Sequence, residues 1–159
     1  MSLRQADTDR PSAEEPSAFR DGQPPSTVEL GRTVLVVDDE ESIRTWLARS
    51  LDEFGCEVLK APDTATAHAI LQGFTVNALI LDVRLARGSG LDVLEYVRAQ
   101  ERFAGLPVIV LTGSDLTAKE QDLIRRHRAH LFYKPQGIES IAETLDRLLR
   151  CESVTVESL

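Results

Sequence analysis

The chain has 159 residues, 42% hydrophobic and 28% charged, enough for one domain with a full core. Its 26 acidic against 18 basic side chains leave a formal charge of −8, which argues against a nucleic-acid-binding surface. No apolar run reaches the roughly 18 residues of a membrane span, no apolar signal core opens the chain, and Cys56 and Cys151 stand in no metal-like spacing, so a cytoplasmic chain with reduced thiols is expected.

Residues 1–30 hold Pro11, Pro16, Pro24 and Pro25 among Ser, Gln, Asp and Glu. They have too little bulky apolar surface to offset ordering entropy and are expected to be disordered. Thr33-Val34-Leu35-Val36-Val37 reads as a first buried strand, stopping at Asp38-Asp39-Glu40-Glu41. Ser42 then opens a helix with Ile43, Trp46, Leu47, Leu51 and Phe54 at helical spacing, and Gly55 stops it. Residues 56–60 form a short strand, and Pro62-Asp63 introduces a second helix over 64–72. The run Asn77-Ala78-Leu79-Ile80-Leu81 reads as a strand buried on both faces and ends in Asp82. Gly88 and Gly90 mark the turn after it, and Leu91, Leu94, Tyr96 and Val97 mark a third helix reaching about residue 101. A fourth strand covers 106–111, with Pro107 tolerated at its start, and gives way to Thr112-Gly113-Ser114-Asp115. A fourth helix over 117–126 and a fifth strand over 131–133 lead to Lys134-Pro135. Ile138, Ile141, Leu145, Leu148 and Leu149 define a fifth helix, and residues 152–159 read as a short flexible tail.

Five strands alternating with five helices are the pattern of parallel βαβ units, a doubly wound α/β sandwich spanning residues 31–151. In such a sheet the strand ends share one edge, where open parallel sheets bind ligands. Asp38 and Asp39, Asp82, Thr112 and Lys134 each follow a strand. Three gathered carboxylates repel unless a cation joins them, and hard oxygen donors suit Mg²⁺, which accepts an added phosphate oxygen. A hydroxyl and an ammonium beside them complete a place where a phosphoryl group can be attached and held, with Asp82 as the reactive group. Taken singly, each residue has a plainer role: the acids and Thr112 as helix caps, Lys134 as a solvated charge. Their coincidence at the same strand ends favours the joint reading.

The motifs Val-Leu-Val-Val-Asp38-Asp39-Glu40, Leu-Ile-Leu-Asp82 followed by Gly90, Val-Ile-Val-Leu-Thr112-Gly113 and Tyr133-Lys134-Pro135 resemble those of response-regulator receiver domains of bacterial two-component signalling. The spacings between Asp82, Thr112 and Lys134 match as well. The resemblance implies a flavodoxin-like sheet of order 2-1-3-4-5. It implies that Asp82 accepts a phosphoryl group from the phosphohistidine of a sensor histidine kinase or histidine phosphotransfer protein, the chain assisting this step without being an enzyme. Asp39 and Asp82 would bind Mg²⁺ directly, Asp38 through water, and Arg84 through its backbone carbonyl. Lys134 would pair with a phosphoryl oxygen, Thr112 would turn its hydroxyl to the same group, and Lys134-Pro135 would be a cis peptide. Arg84 and Ser114 occupy positions that tune acyl-phosphate hydrolysis in the family. The output would be a population shift of the fourth helix, fifth strand and fifth helix, read by a downstream protein partner.

The chain departs from the family pattern at three places. Ala86 stands where proline is usual, Leu131 where an aromatic switch residue is usual, and His127-Arg128 where a Gly-Ala pair is usual, so the fourth helix must end without its glycine. Arg125, Arg126, His127, Arg128 and His130 form a basic cluster there, read either as charges favourable to the helix C-terminus or as a docking patch for an acidic partner. His68 is read as an exposed or half-buried residue rather than a phosphohistidine. The chain is expected to be a stand-alone receiver. The rival readings are a phosphorelay shuttle or phosphate sink, and a non-phosphorylated interaction scaffold. A metal-dependent phosphatase would need a second acid at Arg84.

Overall fold

The computed structural model describes residues 32–134 and 138–158. The expected disorder over residues 1–30 and the expected cis bond at Pro135 lie outside the described residues. Five strands, β1 (Thr33–Val37), β2 (Glu57–Ala61), β3 (Ala78–Leu81), β4 (Val108–Thr112) and β5 (His130–Tyr133), alternate with α1 (Glu41–Asp52), α2 (Thr64–Gly73), α3 (Gly90–Arg98), α4 (Ala118–Arg126) and α5 (Ile138–Ser158). All neighbouring strands are parallel, in the order β2-β1-β3-β4-β5. This is the doubly wound sheet that the βαβ alternation predicts, in the order 2-1-3-4-5 that the resemblance implies.

Strand alternation splits the core into two layers. Leu35, Val37, Leu79, Leu81, Val108 and Val110 face α2, α3 and α4, packing with Leu71, Leu94, Val97 and Ile124. Val34, Val36, Ala78, Ile80, Ile109 and Leu111 face α1 and α5, packing with Leu47, Leu51, Ile141 and Leu145. Every residue of β3 and β4 is buried, which explains why both read as unbroken apolar runs.

The structure corrects several expected details. Trp46 is 40% exposed, and Phe54, at 43%, lies beyond the end of α1. The buried stripe is Leu47 and Leu51 with Ile43 beside it, residues four apart on one helix face. A 3₁₀ turn, Glu101–Phe103, follows α3 and buries Phe103. α5 runs through Ser158, into the stretch from residue 152 read as a tail. No Pro or Gly lies beyond Ile138 to stop it.

α4 ends without glycine, as its sequence requires, and the backbone shows how. Arg128 takes the left-handed conformation at φ 57°. The Ala129 N–H donates to the Ile124 carbonyl and the Arg128 N–H to the Arg125 carbonyl, the paired bonds of a Schellman motif. Arg98 donates from Nε to the His127 carbonyl at 2.8 Å and from Nη1 to the Phe103 carbonyl, tying α3 to this end. Among the described residues no helix is long and apolar enough to cross a membrane.

Candidate functional site

The parallel register sets Val37 beside Leu81, so the next residues, Asp38 and Asp82, emerge side by side at the sheet's C-terminal edge. The Asp82 N–H donates to the Val37 carbonyl at 2.9 Å, locking the two strand ends together. Asp38 is 2% exposed and Asp82 6%, whereas Asp39 is exposed at the rim. The loop after β3 turns sharply on Gly88, at φ 88°, and Gly90. A Cβ on Gly90 would stand 2.0 Å from the Asp82 carbonyl oxygen, so only glycine lets the chain pass under the site. Ser89 accepts the Leu91 N–H at 3.0 Å and caps α3.

β4 and β5 bring the remaining groups. Thr112 is fully buried at the end of β4, opposite Tyr133. The Lys134 N–H donates to the Thr112 carbonyl, which aims Lys134 along the strand edge. Its ammonium lies 2.9 Å from Asp38 Oδ2, 3.1 Å from Asp82 Oδ2 and 3.6 Å from Glu40 Oε1. The Thr112 hydroxyl oxygen accepts the Ser114 N–H at 3.2 Å. Asp38 Oδ1 accepts the Glu40 N–H, and Arg44 donates to the Asp38 carbonyl.

Burial pushes the Asp82 carboxyl above the usual carboxylate range, and the Asp38 charge pushes it further, against the pull of Lys134. Burial alone would lower the Lys134 ammonium, but its hydrogen bond to Asp38 and the charges of Asp38 and Asp82 outweigh that and hold it above its ordinary value. Carboxylate oxygens of Asp38, Asp39 and Asp82 lie within 4.8 Å of one another. One ammonium cannot neutralise three carboxylates, and the donors are all hard oxygens. The set therefore fits a hard divalent cation. The structure thus brings Asp38, Asp39, Asp82 and Lys134 together, with Thr112 joined to the Lys134 backbone at the adjoining strand end.

Arg84 follows Asp82 in the loop, its N–H 3.4 Å from Asp82 Oδ1, and it pairs with Ser89 across the turn. Its guanidinium does something that the sequence reading missed. It donates to both carboxylate oxygens of Glu120, at 2.5 and 3.0 Å, and to the Asp115 carbonyl at 2.9 Å. Glu120 in turn accepts the Thr117 N–H, while Thr117 Oγ1 accepts the Glu120 N–H, a capping box at the start of α4. The hydrogen bond and charge of Arg84, with the Thr117 N–H, hold the Glu120 carboxyl down at about 2. The Thr-x-x-Glu pattern was there to be read. The partner from another loop carried no local signal.

In the basic cluster, Arg125 and Arg126 both pair with Asp122 of their own helix, which supports the helix-end reading. His68 is half-buried and stacks on Tyr96 with ring centroids 4.2 Å apart, in keeping with a packing role.

Buried acids at adjacent strand ends, with a lysine and a threonine from the next two strands, define an acidic-pocket protein on a doubly wound parallel sheet. Residues 34–146 match the response regulator receiver domain family. The chain is 35% identical over 143 residues to the probable transcriptional regulatory protein TcrX of Mycobacterium tuberculosis, a match covering 85% of this chain and 54% of TcrX. It is 31% identical over 119 residues to the photosynthetic apparatus regulatory protein RegA of Rhodobacter capsulatus, covering 74% of this chain and 64% of that protein. The phosphate regulon transcriptional regulatory protein PhoB of Pseudomonas aeruginosa shares 35% over 84 residues, covering 53% of this chain and 37% of PhoB. This chain therefore spans between about a third and two thirds of the length of these relatives. Among solved structures, the chemotaxis protein CheY4 of Vibrio cholerae superposes with a TM-score of 0.67 at 28% identity, covering 74% of this chain and 98% of that one. The chain belongs to the response-regulator receiver domain family.

Proposed function

We propose that the chain takes a phosphoryl group onto Asp82 from the phosphohistidine of a sensor histidine kinase or histidine phosphotransfer protein. The observation that carries this reading is the Lys134 ammonium bridging two nearly buried carboxylates, Asp38 and Asp82, at adjacent strand ends. A carboxylate oxygen of Asp82 attacks phosphorus in line; the O–P bond forms as the N–P bond to the histidine breaks, and the electron pair leaves with the imidazole. Asp38, Asp39, Asp82 and the Arg84 carbonyl would hold Mg²⁺, which when bound offsets the repulsion between the nucleophile and the phosphoryl oxygens. Lys134 shifts from the Asp82 carboxylate to a phosphoryl oxygen and keeps its hydrogen bond to Asp38. Thr112 rotates its hydroxyl proton toward the same group. The added charge then favours the conformer in which the loop after β4 closes, and the α4–β5–α5 face carries that change to a protein partner. The setting is cytoplasmic.

The test is intact mass after incubation with acetyl phosphate and Mg²⁺, comparing the native chain with Asp82→Asn. One added phosphoryl group that needs both Asp82 and Mg²⁺ is the expected result. No adduct, even with a cognate kinase supplied, would leave an interaction scaffold as the better account. Passage of the group onward to a second histidine protein would instead identify a relay shuttle.

A further inference from the structure

The Arg84 guanidinium spans two loops at the rim of the acidic pocket. It leaves the loop after β3, two residues from Asp82, and ends on the loop after β4 and the first turn of α4. The contact to Glu120 is a two-pronged ion pair, the most directional form such a pair takes. Glu120 is only 22% exposed and is fixed in turn by the capping box, so the pair is anchored at both ends. The loop that it holds, residues 113–117, contains the Ser114 N–H bound by Thr112 Oγ1. Drawing the Thr112 hydroxyl to a phosphoryl group shifts this loop and changes the span that Arg84 bridges. Where the family resemblance leads one to expect an aromatic switch residue, this chain has Leu131, packed against the core layer of Val110 and Ile124, with no ring to swing.

We propose that Arg84 and Glu120 are positioning residues that hold the loop after β4 in its resting place and thereby set how readily Asp82 takes a phosphoryl group; this rests on the function proposed above. A ligand or modification shifts a two-state equilibrium only by its preference for one state, so an interaction made in the resting state alone opposes the shift. Removing that interaction populates the closed loop before phosphorylation.

The experiment measures the rate of adduct formation from acetyl phosphate at fixed Mg²⁺, by intact mass, for the native chain, Arg84→Ala, Glu120→Gln and the double variant. Arg84→Ala leaves the backbone carbonyl in place. Glu120→Gln keeps a residue that serves at this position of a capping box. Arg84→Ala is expected to speed the reaction about 3- to 10-fold, as loss of a partly shielded ion pair with a carbonyl bond implies. Glu120→Gln should have a smaller effect, and the double variant should be no faster than Arg84→Ala. An unchanged or slower rate in Arg84→Ala, or effects that multiply in the double variant, overturns the proposal. If the native chain takes no phosphoryl group, the proposed function fails instead. Hydrogen exchange without any phosphodonor then decides the clamp: faster exchange over residues 113–120 in Arg84→Ala supports it, and unchanged exchange overturns it.

Discussion

Asp82 sits in an environment that disfavours its own charge. Buried beside Asp38, it holds its proton to higher pH than it would in the unfolded chain. The native state therefore binds more protons across the window from the ordinary carboxylate range up to the raised value, and stability falls as pH rises through that window. Asp82→Asn removes this slope and should raise stability at neutral pH by on the order of 1 kcal/mol, a usual gain when a functional site is relieved of strain. Urea denaturation across the acidic range checks both. The same carboxyl must be ionised to attack phosphorus, so adduct formation should decline with acid at higher pH than an ordinary aspartate would set. Lys134 has the opposite role. It offsets two carboxylates, and its contribution is present below the ordinary lysine value and lost as pH climbs through its raised folded value. Lys134→Ala should cost about 2 kcal/mol at neutral pH, the penalty for orphaning buried charges reduced by the opening of the site to water. That cost should shrink in acid, where the carboxylates take up protons.

At the scale of elements, α4 shows both what local patterns reveal and where they stop. Its capping box and the missing C-terminal glycine could be read directly from Thr117, Glu120 and His127-Arg128. That Arg128 itself would enter the left-handed region could not, because it depends on the Schellman bonds and on Arg98 arriving from α3 to take the His127 carbonyl. A side chain in that region carries roughly 1 kcal/mol of strain that glycine avoids. Arg128→Gly should therefore stabilise the fold by about 1 kcal/mol, seen as a higher urea midpoint with an unchanged slope, while Arg128→Ala should gain nothing. The loop after β3 makes the contrary case. Gly90→Ala forces a Cβ into the Asp82 carbonyl, which cannot yield without moving the end of β3. It should cost about 2–3 kcal/mol, as overpacking does, and should lower the yield of phosphoryl adduct even in protein that remains folded.

For the molecule as a whole, the arrival of Asp38, Asp39, Asp82, Thr112 and Lys134 at one sheet edge was legible because parallel βαβ winding sends every strand end there, whereas the strand order came only from the resemblance to receiver domains. Each site residue closes its strand or lies within two residues of its end, so position along the chain placed it on that edge. What escaped were relations between side chains on separate loops, chiefly Arg84 with Glu120, and the exposure of Trp46, which turns on one residue's angle around a helix. The net charge of −8 and the three site carboxylates now make a joint prediction. A cation that binds only the folded state adds stability that grows by about 1.4 kcal/mol for each tenfold rise in its free concentration above its dissociation constant. Thermal melting in increasing Mg²⁺, at constant ionic strength, should show such a logarithmic rise in Tm. Diffuse screening of the overall negative charge would respond to ionic strength instead, and would be matched by sodium chloride. Asp39→Asn should abolish most of the Mg²⁺ response and leave the Mg²⁺-free Tm nearly unchanged, because Asp39 is exposed at the rim of the site. A Mg²⁺ response that survives Asp39→Asn would move the cation away from these three carboxylates, and with it the chemistry assigned to Asp82.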